Sequence, residues 1–217
     1  MKNVLGLTAA LSCALIAQTA VAAPLSGAYV GVEGSHDSYE LKAQGTNLGG
    51  TSISFDGLSG NGVSGGIYAG YDLPIMPSAF IGVEAGFDYS GAAISASATS
   101  GGNSLAGSVK ARETYSVAAR LGFKPAASTG VYAKLGYANT RFKTQAFSNG
   151  TEVFSDSRSK GAFVYGGGIE TALTDRVAIR GEFTVADFGS AGLNAALGVN
   201  GIKLSNSKTS VGVSYRF

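Results

Sequence analysis

The chain has 217 residues, of which 33 are Gly, 14% are charged and 45% are hydrophobic, and its formal net charge is +2. Gly is at about twice its usual share and the charged fraction is well below the usual ~25%, so neither a disordered segment nor an ordinary charged globule fits. Basic and acidic residues are interleaved without a basic stripe, which excludes nucleic acid as a partner.

The first 22 residues have the pattern of a Sec signal peptide. Lys2 provides the positive start, residues 4–17 are apolar, and Ala20-Val21-Ala22 has the small-x-small pattern of a cleavage site after Ala22 or Ala23. The apolar run is too short for a membrane-spanning helix. The only Cys, Cys13, lies in this segment, so we expect no disulfide and no thiolate metal site in the exported chain.

Residues 23–217 are predicted to form one β-barrel domain, because apolar residues recur at every second position. In the first strand, for example, Val30 and Val32 alternate with Gly31 and Glu33. Strands of about ten residues match the length that crosses a bilayer at a tilt. The eight predicted strands are residues 28–35, 63–73, 79–89, 112–124, 130–140, 162–173, 176–186 and 209–217.

The connections between these strands alternate between short and long. Residues 74–78, 125–129 and 174–175 read as short turns, whereas residues 36–62, 90–111, 141–161 and 187–208 read as long polar loops. Within the third loop, Asn149-Gly150 indicates a turn. Short turns at one end and four long loops at the other are typical of an all-β, antiparallel, up-and-down transmembrane barrel with periplasmic turns and extracellular loops. Closure requires the first and last strands to pair.

Eight charged residues fall in mid-strand on the face opposite the apolar one. Because an eight-stranded barrel has an interior just wide enough for side chains, small residues would make room there and the charges would pair. The opposite orientation, with the charges on the wet face of a soluble sheet, is the alternative. The predicted lumen charge network consists of Glu33, Glu84, Arg120, Lys134, Glu170, Arg180, Glu182 and Arg216.

Aromatic residues near the strand ends are expected to form girdles at the two membrane interfaces, where aromatic side chains of such barrels concentrate. Core packing is the alternative for several of them. The girdle candidates are Tyr29, Tyr71, Phe87, Tyr89, Tyr115, Phe123, Tyr137 and Phe217.

Several segments resemble a known family. Residues 212–217, with hydrophobic residues two apart before a terminal Phe, resemble the C-terminal assembly signal of outer-membrane proteins. Residues 29–34, 80–86 and 164–183 resemble the small eight-stranded barrels that include OmpA-like transmembrane domains, opacity proteins and alphaproteobacterial surface antigens.

This resemblance implies localisation in the bacterial outer membrane, surrounded by its lipid and lipopolysaccharide. It also implies insertion by the outer-membrane assembly machinery, which would read Gly212, Tyr215 and Phe217. Because the sequence ends at the barrel, no peptidoglycan-binding domain like that of full-length OmpA is expected.

Catalytic and metal-binding patterns are weak in this sequence. Its one His, His36, stands between Ser35 and Asp37 at the outer end of the first strand, without the local spacing of the lipid-A-modifying barrels. With one His and no exported Cys, we expect no catalytic site, no metal site and no cofactor.

Four functional hypotheses remain from the sequence, and fold alone does not choose among them. The first is a non-enzymatic outer-membrane barrel that contributes to envelope structure and presents surface loops for adhesion or for an extracellular or host ligand. The second is a narrow porin-like channel for small solutes. The third is a lipid-A-modifying enzyme using His36, and the fourth is a soluble periplasmic ligand-binding barrel.

Overall fold

The computed structural model describes residues 25–48, 51–100, 103–190 and 202–217. The predicted signal segment and its cleavage site lie outside these residues. Among the described residues, no helix is long and apolar enough to cross a membrane. The strands are β1 (Gly27–Leu48), β2 (Thr51–Met76), β3 (Ala79–Ser90), β4 (Ala93–Ser100), β5 (Asn103–Ala126), β6 (Thr129–Ser148), β7 (Thr151–Ala172), β8 (Val177–Ser190) and β9 (Ile202–Arg216).

The strands form one closed antiparallel barrel. β1 pairs with β2 on one side and with β9 on the other, and β3 pairs with β5. β4 continues β3 beyond a break at Gly91 and Ala92 and pairs with the same neighbour, β5. The nine segments therefore make an eight-stranded barrel, which confirms the predicted fold class. The pairing of the first and last strands is also confirmed, with Tyr29 opposite Arg216 and Ser35 opposite Ser210.

The two faces of the barrel differ as the alternation predicts. Val32 and Leu135 on the outward face are 59% and 64% exposed, whereas Glu84 and Arg120 on the inward face are almost completely buried. An apolar exterior around a polar interior is the arrangement of a barrel surrounded by lipid. The alternative of a soluble barrel with an apolar interior does not fit this arrangement.

The connections at one end are short, as predicted. β2 ends at Met76 and β3 begins at Ala79, β5 ends at Ala126 and β6 begins at Thr129, and β7 ends at Ala172 with β8 beginning at Val177. Thr174 stabilises the last of these turns, because its hydroxyl accepts hydrogen bonds from the backbone N–H groups of Arg176 and Val177.

The long loops differ from the prediction, because the strands continue through most of them as paired hairpins. β1 and β2 stay paired up to Leu48 and Thr51, and β6 and β7 up to Ser148 and Thr151. In the β6–β7 hairpin, polar residues on both faces interrupt the apolar alternation that marks a strand in sequence, while the backbone still forms cross-strand hydrogen bonds. The fourth predicted loop, 187–208, lies partly outside the described residues.

The turn predicted at Asn149-Gly150 is confirmed. Both residues have positive φ, 48° and 81°, as the tight turn of a two-residue β-hairpin requires.

Candidate functional site

All eight charged residues of the predicted lumen network point into the barrel, and the structure joins them into one set of contacts. They lie on seven different strands, and the period of two places each of them on the inward face. Their residue exposures run from 2% for Arg120 and Glu170 to half-buried for Glu33 and Lys134. Nothing else in the described lumen offers a comparable concentration of charge.

The half of the network nearer the short turns is organised around Arg120. Its Nη2 donates to Glu170 Oε2 at 2.9 Å, and its Nη1 lies 3.4 Å from both Asp72 Oδ2 and Glu84 Oε2. Arg216 binds the same two partners from the next strands, with Nη2 at 2.9 Å from Glu170 Oε1 and 3.1 Å from Asp72 Oδ2. Two guanidiniums thus share two fully buried carboxylates.

The half nearer the hairpins is organised around Arg180, Lys134 and Lys208. Arg180 donates to Glu84 Oε2 and to Glu33 Oε2, both at 2.6 Å. Lys134 Nζ bridges Glu84 and Glu182 at 2.7 and 2.9 Å. Glu84 therefore accepts from both halves and links them.

Tyrosine rings pack between the charged groups. The Arg120 guanidinium lies 4.0 Å from the centre of the Tyr132 ring, and that of Arg180 lies 3.4 Å from the centre of the Tyr68 ring. Tyr29 accepts a hydrogen bond from Arg120 Nη1 and donates to Glu84 Oε2 at 2.8 Å. These rings add cation–π contacts and hydrogen bonds in a site sheltered from water.

The position of Tyr29 corrects one girdle prediction. Its side chain is 1% exposed and lies in the lumen, because residue 29 has the same parity as Glu33. The other girdle candidates, by contrast, have outward parity. Tyr89, Tyr115 and Tyr137 are 45%, 62% and 48% exposed on the outward face near the hairpin side.

The sequence analysis missed four charged lumen residues: Asp37, Asp72, Asp88 and Lys208. Lys208 Nζ lies 2.7 Å from Glu33 Oε1 and 2.6 Å from Asp88 Oδ1. Asp37 accepts from Ser90 Oγ at 3.0 Å. Parity alone identifies Asp72 and Asp88, since they lie two and four residues from the inward positions Gly70 and Glu84. Asp37 and Lys208 fall just outside the predicted strand ends.

Apolar side chains close the lumen at the end with the short turns. Leu25 and Phe80 are each 1% exposed, and both border Gly130, where a Cβ would lie 3.1 Å from Leu25 Cδ1 and 3.5 Å from Phe80 Cε1. A Cβ at Gly122 would lie 2.1 Å from Phe80 Cζ. The glycine at position 122 thus makes room for the Phe80 ring beneath the charge network.

A second apolar cluster closes the lumen at the hairpin end. Tyr39, Phe142 and Phe188 contact one another, mainly edge to face, with ring centres 5.3 to 6.5 Å apart. They pack against Ala92, Ala111 and Ala162 of the same cluster. Between this aromatic cluster and the charge network lies a cavity of about 80 Å³. At the ~10–15 Å³ that one water requires, it has room for several water molecules.

His36 lies apart from the lumen. It is exposed on the outward face, where its register partners are Val63 on β2 and Thr209 on β9. Its chain neighbours Ser35 and Asp37 are buried on the opposite face, so the alternation of the strand separates the three side chains. Among the described residues, no group of three His, Cys, Asp or Glu side chains could hold a metal ion.

The residues of the proposed assembly signal lie on both faces of β9 and at its end. Gly212 faces inward, where a Cβ would lie 3.0 Å from Tyr68 Oη. Tyr215 and Phe217 face outward with their ring centres 5.3 Å apart, and Phe217 is 79% exposed. Arg176 Nη1 donates to Tyr215 Oη at 2.8 Å. Phe217 therefore has no packing role inside the barrel.

Comparison with known proteins places this architecture in a family. The family model described as outer membrane protein beta-barrel domain matches residues 7–217. Outer membrane protein A of Shigella flexneri is 28% identical over 158 residues, which are 72% of this chain and 41% of that protein. The 31 kDa outer-membrane immunogenic protein of Brucella melitensis is 25% identical over 142 residues, 63% of this chain and 58% of that protein.

The chain thus spans less than two thirds of the length of these curated relatives. Among solved structures, the attachment invasion locus protein of Yersinia pestis, in complex with the heparin analogue sucrose octasulfate, is similar with 15% identity and a TM-score of 0.48, covering 88% of this chain and 99% of that one. The match of the family model to almost the whole sequence carries the assignment: the chain belongs to the outer membrane protein β-barrel domain family and is a protein of the outer membrane.

Proposed function

We propose that this protein is a non-conducting, non-enzymatic barrel of the outer membrane that contributes to envelope structure and presents its hairpins to the outside. The observation that carries this proposal is the filled lumen. The side chains of Arg120 and Asp72 are inaccessible to solvent, and apolar side chains lie beyond them at both ends. A lumen closed in three successive layers supports a structural role better than a transport role.

The hairpins support the second half of the proposal. They continue the barrel wall beyond its apolar band, and their tips carry exposed side chains such as Val153 and Phe154. Surface segments held by a rigid scaffold are where barrel proteins make contacts with partners. We propose that these tips contact extracellular or host ligands, and that the outer-membrane assembly machinery inserts the barrel.

In planar lipid bilayers, we expect the purified protein to give no steady openings. The protein is first checked by gel mobility, unheated and boiled in SDS, because a closed barrel that resists SDS migrates differently before boiling. Boiled protein serves as the control for leaks caused by detergent. Steady openings from protein that passes the mobility check would contradict the closed lumen.

A narrow cation channel is the second candidate function, and the lumen charges favour it over an anion channel. Among the described side chains inside the barrel, seven carboxylates face five cations, so an opened lumen would attract cations. The carboxylates are Glu33, Asp37, Asp72, Glu84, Asp88, Glu170 and Glu182, and the cations are Arg120, Lys134, Arg180, Lys208 and Arg216. If openings are recorded, their reversal potential in a KCl gradient should indicate cation selectivity.

The non-enzymatic part of the proposal concerns lipid A. Because Ser35 and Asp37 point away from His36, this histidine lacks the adjacent nucleophile or carboxylate that hydrolysis requires. We expect cells that produce the His36→Ala variant, the parent protein or no protein to have the same lipid A species by mass spectrometry. A species that appears only with the parent protein would assign an enzymatic role to His36.

A further inference from the structure

A group of four cations lies on the outward face of β5 and β6, just beyond the aromatic girdle. Lys110 is directly opposite Lys143. A β-bulge in β5 places Arg112 and Glu113 opposite Arg141. The intervening pair, Ala111 and Phe142, packs into the internal aromatic cluster, so the flanking pairs point outward. We call Lys110, Arg112, Arg141 and Lys143 the basic patch.

The basic patch lacks anionic partners within the described part of the chain. None of its four cations forms an ion pair there, whereas every cation of the lumen network does. Like charges directly opposite each other on a sheet are destabilising, so the Lys110–Lys143 pair costs stability in the free protein. Glu113, the other residue of the bulge, is a single acid beside four cations, which leaves a local excess of positive charge.

The position of the patch relates it to the membrane. The Arg112 guanidinium lies 5.0 Å from the centre of the Tyr89 ring, and Tyr89 belongs to the girdle on the hairpin side. A tilted strand climbs about 2.5 Å per residue along the membrane normal, so Lys110 lies roughly 5 Å above Arg112. The patch therefore extends from the edge of the apolar band outward through the headgroup layer.

The opposite wall of the barrel differs at the same height. Its outward residues are Ser38 on β1, Asn61 on β2 and Ser207 on β9, with Ser38 paired to both of the others in register. Asp187 on β8 adds a negative charge there. At this height the outward positive charge of the described residues thus lies in one sector of the barrel, where Ser157 and Ser159 on β7 are opposite Lys143 and Arg141 and supply hydroxyl groups.

We propose that the basic patch binds the phosphate groups of lipopolysaccharide in the outer leaflet. Phosphates on the lipid A headgroup and the first core sugars lie at several heights above the acyl chains, which matches two rows of cations one above the other. A phospholipid offers a single phosphate at one height, and a soluble anion would not require the patch to adjoin the girdle. This inference rests on the proposed orientation, with the hairpins outside the cell.

The test compares binding of phosphorylated lipid A to the full-length mature protein and to variants in nanodiscs. Because each basic residue near a membrane surface contributes about a fivefold preference for anionic lipid, the combined Lys110→Ala and Lys143→Ala variant should bind about thirtyfold more weakly. Lys203→Ala removes an exposed cation from the opposite wall and should bind like the parent. Dephosphorylated lipid A should bind the parent at least as weakly as phosphorylated lipid A binds the double variant, because that variant keeps two cations of the patch, Arg112 and Arg141.

Inorganic phosphate is the competing ligand that separates a lipid site from a free-anion site. Millimolar phosphate should leave lipid A binding by the parent unchanged, and full displacement would overturn the assignment to lipid. Equal binding of phosphorylated lipid A by parent and double variant would overturn the site. Without lipid, the double variant should unfold no more easily than the parent, because it loses a like-charge pair, so weaker binding cannot be attributed to misfolding.

The orientation of the barrel in the membrane is checked separately, so that a failure of the proposed function can be distinguished from a failure of the lipid A site alone. The only Cys of the chain lies in the predicted signal segment, and the Thr151→Cys variant therefore carries one thiol at a hairpin tip. We expect it to react with a membrane-impermeant maleimide on intact cells. A thiol that reacts only after the cells are lysed would contradict the outside location of the hairpins and overturn this inference together with it.

Discussion

Replacing Arg120 with Ala should lower the free energy of unfolding by about 3 to 5 kcal/mol, the usual cost of removing one partner from a buried ion pair. Asp72 and Glu170 would each lose one of two guanidinium partners, and Glu84 one of three cations. The rings of Tyr29, Phe80 and Tyr132 would also lose the cation that lies among them.

The measurement is the folded fraction at increasing urea concentration, read from gel mobility because the chain contains no Trp. Arg158 provides the matched control, since its pair with Asp156 lies on the exposed surface of a hairpin. The hydrogen bond from Arg158 lowers the pKa of the Asp156 carboxyl, but exposed ion pairs contribute little to stability. Equal urea midpoints for Arg120→Ala and Arg158→Ala would show that the lumen network does not hold the barrel together.

Replacing Phe217 with Ala should reduce the amount of protein assembled in the outer membrane and leave the stability of the assembled barrel unchanged. The Phe217 ring faces outward, is 79% exposed and has one ring contact among the described residues, with Tyr215. If the assembly machinery binds this ring, as proposed, the loss of about 2 kcal/mol of apolar contact corresponds to about thirtyfold weaker recognition.

Quantitative blotting of outer-membrane fractions measures this effect, and the urea midpoint of the fraction that does assemble measures stability. Val211→Ala is the control, because Val211 is also an exposed outward residue of β9 but is not part of the assembly signal. An equal loss of assembly in both variants would mean that apolar area on β9 matters and that the terminal ring has no separate role.

The barrel could be predicted because two environments meet at its wall. Lipid selects apolar residues at every second position and the lumen selects small or charged residues at the others, so parity assigns Glu84 and Arg120 to the inside without a structure. The same parity places Tyr29 inside. The girdle prediction gave more weight to the aromatic side chain than to its position. Tyr29 lies four residues before Glu33, and an even spacing in a strand puts both side chains on the same, inward face.

The hairpins could not be predicted in the same way, because no contrast between two environments acts on them. Beyond the membrane both faces of β6 and β7 carry polar residues, and only the Asn149-Gly150 turn is visible in the sequence. The basic patch was hidden for a further reason. The bulge at Arg112 and Glu113 shifts the parity of β5 by one residue, and a simple count of two therefore separates Lys110 from the outward residues that follow.

The pairing of β6 with β7 up to their last residues has a thermodynamic consequence for any ligand of the hairpin tips. Fixing the backbone of one residue costs about 1–2 kcal/mol of conformational entropy, and a partner that binds a flexible loop must offset this cost for every residue it orders. In this barrel the pairing of β6 with β7 already fixes the hairpin backbone when the protein folds, so binding does not have to order it. A small contact area at Val153 and Phe154 can therefore contribute to affinity almost undiminished.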